Sequence, residues 1–170
     1  SLAEGDTWGR ESPSSHYRVT WGRRADIGME RTLQACLLPP GPLHIDMVIS
    51  GGSNDRWDVA LASGYLASLP FDYQVRLIGK DLRYDVMQPL RIPARSPEIE
   101  SLIVHRSLRL NCLTATYAAL WEETFQEQWA TDPIGDAKPE PTSSVWTLET
   151  PLRTERARRT ALVELDALAA

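Results

Sequence analysis

The sequence predicts an α+β domain, a small twisted and mainly antiparallel sheet flanked by helices, one of them long. Three observations carry the prediction: a period-two run at 17–21, two short apolar runs closed by Pro and Gly clusters, and a helical apolar pattern that opens at Ser96. With 170 residues, 42% hydrophobic and 24% charged, the chain can bury one substantial core and is too short for two.

Residues 1–16 are polar, rich in Gly and Ser and unpatterned, and are expected to be a loose lead-in from a preceding domain. The core unit is placed at 17–129. Tyr17, Val19 and Trp21 alternate with Arg18 and Thr20, the pattern of a half-buried strand. The runs 33–38 and 44–50, closed by Pro39–Pro42 and by Gly51 and Gly52, complete a three-stranded sheet. Ser53 or Asn54 is expected to cap a helix over 55–68 that Pro70 ends, with a short segment over 71–78 and a break at Gly79. Small residues at Ala60, Ala62, Gly64 and Ala67 predict close packing on both sides. The run 87–92 reads as a strand or extended turn. Ser96 as N-cap and Pro97 in the first turn open the long helix, which carries Ile99, Leu102, Ile103, Leu110, Leu113, Tyr117, Leu120 and Trp121 at helical spacings. Its pattern extends to about Trp129, nearly 50 Å of helix, so a kink or two helices is an alternative. The remainder, 130–170, reads as a connector, an apolar anchor at 145–148 and a helix from Thr154 that stops while still apolar, as if the chain continued.

No stretch approaches the roughly 20 apolar residues that cross a bilayer, and the first residues lack a leader pattern, so a soluble, unexported, cytoplasmic protein is expected. Cys36 and Cys112 lack metal-knuckle spacing and are expected to be reduced and buried. The net charge of −5 lies wholly beyond residue 110, where 10 acidic side chains face 5 basic ones. An anionic partner is therefore expected on the first two-thirds. Sixteen of the 18 basic residues are Arg, whose planar fork suits phosphate and guanine edges, although a GC-rich genome would produce the same bias.

The search for reaction chemistry is negative. There is no G-x-G for a dinucleotide or methyl donor, no phosphate loop and no nucleophile elbow. His16, His44 and His105 stand without partners at metal-ligand spacing, and the adjacent Glu122 and Glu123 diverge on a helix and read as a solvated face. No catalytic residue, metal or cofactor is assigned, and the chain reads as a binding domain. Two basic clusters stand near turns. Arg18, Arg23, Arg24 and Arg31, with Thr32 beside Arg31, form the first, and Arg76, Lys80, Arg83 and Arg91 around Gly79 form the second. Solvated strand ends and ordinary turns are the competing readings. Arg106 and Arg109 lie three apart on one helical face and are read as pairing with Glu98, Glu100 or Glu122.

Four runs taken in order, WGRRADIGMERTLQACLLPPGP (21–42), SLPFDYQVRLIGKDLRYDVMQPLRIP (68–93), HRSLRLNCLTATYAALWEE (105–123) and TPLRTERARRTALVELDAL (150–168), resemble the C-terminal region of large adenine-specific DNA methyltransferases. These are type IIG restriction-modification enzymes and related phage-defence methylases of bacteria. The resemblance implies a target-recognition domain like a type I specificity domain, with its core at 17–129, binding duplex DNA beside the catalytic domain of the same parent chain. It places Arg23, Arg24, Arg31 and Thr32 on the segment entering the recognition sheet and Gly79, Lys80 and Arg83 on a second loop near DNA. Asn111 reads equally as a structural residue or a contact. The family's catalytic motif and its glycine-rich loop for S-adenosylmethionine are missing here, so that cofactor and the methylation are expected in the parent enzyme. A protein-interaction domain docking on the methylase core or a defence-system partner is the alternative.

Overall fold

A computed structural model describes residues 11–26, 28–79, 81–90, 92–93, 95–135 and 142–170. The expected strands form as β1 (Arg18–Gly22), β2 (Ala35–Leu38) and β3 (Val48–Gly51), one antiparallel sheet in the order β2-β1-β3. Among the described residues six α-helices accompany it, so the α+β class holds. On β1 the alternation puts Val19 and Trp21 into the core, as expected. Arg18 and Thr20 are buried too, where the pattern predicts a solvated face. As the central strand, β1 has a neighbour on each side: Thr20 Oγ1 donates to the Cys36 carbonyl, and the Arg18 guanidinium to the Pro42 carbonyl.

Helix α1 (Arg56–Leu66) is capped by Asp55, whose carboxylate accepts from Trp57 N at 2.8 Å. The expected cap Ser53 instead accepts from Asp55 N. Every residue from Val59 to Leu66 is buried, because α1 lies between the sheet and α4 (Pro97–Asn111). Gly64 sets that approach: a Cβ there would stand 2.5 Å from Ile103 Cγ2. Pro70 does not end α1. The chain turns at Ala67 and Ser68, and Pro70 sits in the first turn of α2 (Leu69–Ile78), where its missing N–H has no intrahelical partner to lose. Gly79 closes α2 with φ +142°, a conformation that favours glycine. At 87–92, read as a strand or extended turn, no strand forms among the described residues: Met87 ends a single helical turn, α3 (Tyr84–Met87), and Leu90 N donates back to the Met87 carbonyl, with Arg91 outside the described residues.

Ser96 caps α4 as expected, accepting from Ile99 N. The long helix resolves into two. It stops at Asn111, and after a 3-10 turn (Ala115–Tyr117) the chain re-enters α5 (Ala118–Thr124), followed by a 3-10 turn at Glu127–Thr131. Tertiary bonds make the break: Asn111 Oδ1 accepts from Leu37 N at 3.0 Å and Tyr117 Oη donates to the Leu37 carbonyl at 2.8 Å. Asn111 is thereby structural. Val145 and Leu148, the expected anchor, are exposed, and the half-buried Trp146 between them does the anchoring by donating from Nε1 to the Cys112 carbonyl. Helix α6 (Glu155–Ala169) starts at its expected cap Thr154 and packs on α4. Among the described residues no helix is long and apolar enough to cross a membrane.

Candidate nucleic-acid interface

The end of β1 brings two distant segments together. Trp21 Nε1 donates to the Leu82 carbonyl at 2.7 Å, Leu82 N donates to the Arg23 carbonyl at 2.6 Å, and Arg24 forms a β-bridge with Asp81. A buried indole thus fixes the position of 81–83 beside 22–24. Three of the expected DNA-binding residues, Arg23, Arg24 and Arg83, converge there around one carboxylate. Arg23 Nε donates to Asp81 Oδ1 at 3.0 Å, Arg83 Nε lies 3.1 Å from Asp81 Oδ2, and the second nitrogen arm of Arg23 pairs with Asp46. The hydrogen bond from Arg23, with Arg83 and Arg24 nearby, holds the Asp81 carboxyl below its ordinary range. Arg24 and Arg83 face solvent, whereas Arg23 is three-quarters covered. Three guanidiniums against Asp81 and Asp46 leave one net positive charge among the described residues. Lys80, another of the expected DNA-binding residues, and Arg91 lie outside the described residues.

Arg31 and Thr32 are placed elsewhere. Arg31 makes a bidentate pair with Asp166 of α6, at 2.9 and 2.8 Å, and donates to the Ala67 carbonyl at 2.7 Å. Thr32 is buried. The same loop is held from α2, where Asp72 accepts from Leu33 N and Arg76 donates to Asp72 and to the Met29 and Glu30 carbonyls. Arg31, Thr32 and Arg76 thus form a junction joining the sheet, α2 and α6, and their groups are engaged within the chain.

A buried polar network was not foreseen. Arg106 does not pair along its own helix. Its fork grips Asp132, its Nη2 donates to Asp132 Oδ1 at 3.1 Å and to the Pro133 carbonyl at 3.0 Å, and its Nε donates to Glu164 Oε2 of α6 at 2.8 Å. Glu164 also accepts from Gly135 N. His105 Nδ1 lies 2.7 Å from Asp132 Oδ2, and its ring stacks on Trp129 at 5.0 Å. Arg109, the other half of the expected intrahelical pair, is buried as well. Of the expected carboxylate partners, Glu122 accepts from Trp146 N. Nothing in local spacing could reveal partners 26 and 58 residues away.

His105 is fully buried, with its ring held between Asp132 and Trp129. Burial lowers its pKa below the ordinary 6.5, the hydrogen bond to Asp132 opposes this, and the Arg106 and Arg109 charges add to the lowering. Burial likewise pushes the Asp132 carboxyl up, but hydrogen bonds from His105 and Arg106 outweigh it and hold it below the ordinary carboxylate range. A base with a depressed folded pKa stays neutral while the unfolded chain takes up a proton, so stability falls once the pH drops below about 6.5. Melting temperature is accordingly expected to fall between pH 7 and pH 5, with a shallower fall in His105→Gln. An unchanged slope in that variant would show that His105 is not responsible.

Both cysteines are free, but only Cys112 is buried, its thiol pushed up to about 12 by burial; Cys36, expected to be buried, is exposed. It lies on β2 facing away from α1, where Thr20 is its neighbour. Among the described residues no group of three or more His, Cys, Asp or Glu side chains could hold a metal ion. Comparison with described protein families, with curated proteins and with solved structures finds no match to the chain.

Proposed function

We propose that the chain is a DNA target-recognition domain of the kind that accompanies an adenine-specific DNA methyltransferase, and that it meets DNA at the end of β1. The observation that carries the reading is the convergence of Arg23, Arg24 and Arg83 from two segments fixed to each other by Trp21 and Leu82. Phosphate contacts set the register of such a domain on the duplex, and arginine forks supply them. Arg24 and Arg83 reach the backbone directly. Asp46, 81% exposed, is a replaceable partner, so a phosphate takes its position on Arg23. Catalysis and S-adenosylmethionine belong to the parent enzyme, whose methylase domain is the intramolecular partner.

The test is fluorescence anisotropy of a duplex with the parent methyltransferase across a salt series. Arg24→Ala and Arg83→Ala are each expected to weaken binding and to reduce the log–log salt slope by about one. Affinity and slope unchanged in both variants would overturn the assignment.

A second reading, docking on protein, is favoured by the outer face of α2. Leu69, Tyr73 and Leu77 stand four residues apart along it and are 44%, 64% and 70% exposed. On that reading Leu77→Lys releases a protein partner and leaves duplex binding intact.

A further inference from the structure

The sheet face turned away from α1 carries a polar row. Thr20 stands in register with Cys36 of β2 and Ser50 of β3, so the three side chains share that face. Thr20 Oγ1 lies 3.2 Å from Cys36 Sγ, and Ser50 Oγ lies 2.8 Å from His44 Nε2. Two residues back along β1, on the same face, is Arg18, only 1% exposed. Its Nη2 donates to the Pro42 carbonyl at 2.6 Å, its buried Nε has no hydrogen-bond partner, and among the described residues no carboxylate pairs with it. Arg31 and Arg106 each face a carboxylate. A guanidinium keeps its charge at any physiological pH, and a buried charge without a counter-charge is strongly unfavourable.

We propose that Arg18 is the anchor of an oxyanion site on the outer face of the sheet and that its ligand is a phosphate group. A phosphate supplies a negative charge opposite the guanidinium and an acceptor for its unpartnered Nε. The exposed Cys36 and the half-buried Ser50 mark where the row opens to solvent. The inference rests on the DNA reading only for the source of the phosphate, a duplex backbone; free phosphate offers the same chemistry.

The first measurement is the melting temperature of the full chain in sodium phosphate, chloride and acetate at one ionic strength. Phosphate is expected to raise it by about 3 °C relative to chloride at roughly ten times the dissociation constant, with acetate acting like chloride. Arg18→Met, which replaces the charge with an apolar chain of similar length, is expected to melt above the unsubstituted chain in chloride and to ignore phosphate. A contact with Pro42 alone predicts a lower melting temperature for the variant in every salt. The site is overturned if the unsubstituted chain is indifferent to phosphate, responds equally to acetate, or responds no more than Arg18→Met does. The first two outcomes need no variant that folds. The second measurement is duplex anisotropy with the same two chains, in which Arg18→Met lowers the salt slope by about one if the phosphate is that of DNA. A lost phosphate response with an unchanged slope supports the site with free phosphate as its ligand and counts against DNA at this face. An unchanged phosphate response with a reduced slope overturns the site and leaves the DNA reading standing.

Discussion

Arg106→Ala is expected to lower stability by about 3–5 kcal/mol, the range found when one partner of a buried ion pair is removed. The side chain is 6% exposed and joins α4, the 132–135 turn and α6 through Asp132, the Pro133 carbonyl and Glu164. Truncation leaves the Asp132 and Glu164 carboxylates, 15% and 26% exposed, without their cation. Asp132 would keep only His105 of these two partners, and that imidazole is held neutral by burial. In a chain of this size the loss corresponds to a melting temperature lower by roughly 10 °C or more. Glu164→Gln, which keeps an acceptor at a more open position, is expected to cost about 1 kcal/mol. A loss below about 1 kcal/mol for Arg106→Ala in urea titration would show that the network is not holding α6 to α4.

The second large effect is expected at Trp129. Its ring is fully buried and stacks on His105 at 5.0 Å and on Trp57 at 6.1 Å, with Trp121 and Phe125 both 5.9 Å away. Its Nε1 donates to Ser101 Oγ at 2.9 Å, a hydroxyl that also engages Gln126 and Gln128. Trp129→Ala opens a cavity among rings that α1, α4 and α5 hold in place, and about 3–5 kcal/mol is expected to be lost. Trp129→Phe retains most of the stacking and loses the Ser101 hydrogen bond, so a clearly smaller loss is expected. Equal losses in the two variants would place the stabilisation in the indole N–H rather than in the packing.

Both effects rest on contacts between residues far apart in the chain. The alternation of Tyr17, Val19 and Trp21, the Pro and Gly closures and the caps Ser96 and Thr154 are local signals, and the sheet and the starts of α4 and α6 follow them. The burial of Arg18 and Thr20 does not follow from alternation, which marks only one covered face; it comes with bonds to the Pro42 and Cys36 carbonyls, 24 and 16 residues on. The division of the long helix at Cys112–Thr114 carries no Pro or Gly; it is made by Leu37, which exchanges hydrogen bonds with Asn111 and Tyr117 from 74 and 80 residues away. The pairing of Arg106 was hidden for the same reason. Of the candidate interface, Arg23, Arg24 and Arg83 were each visible as basic residues near turns, but their convergence depends on the Trp21 indole reaching Leu82. Arg31 looked the same in sequence and is bound to Asp166, 135 residues on.

The most direct measurement is amide hydrogen exchange of the parent methyltransferase with and without its duplex. The DNA reading predicts slowed exchange in peptides spanning 22–24 and 81–83, with the outer face of α2 unchanged. Protection confined to 69–78, or no change at 22–24 and 81–83 at saturating duplex, would contradict it.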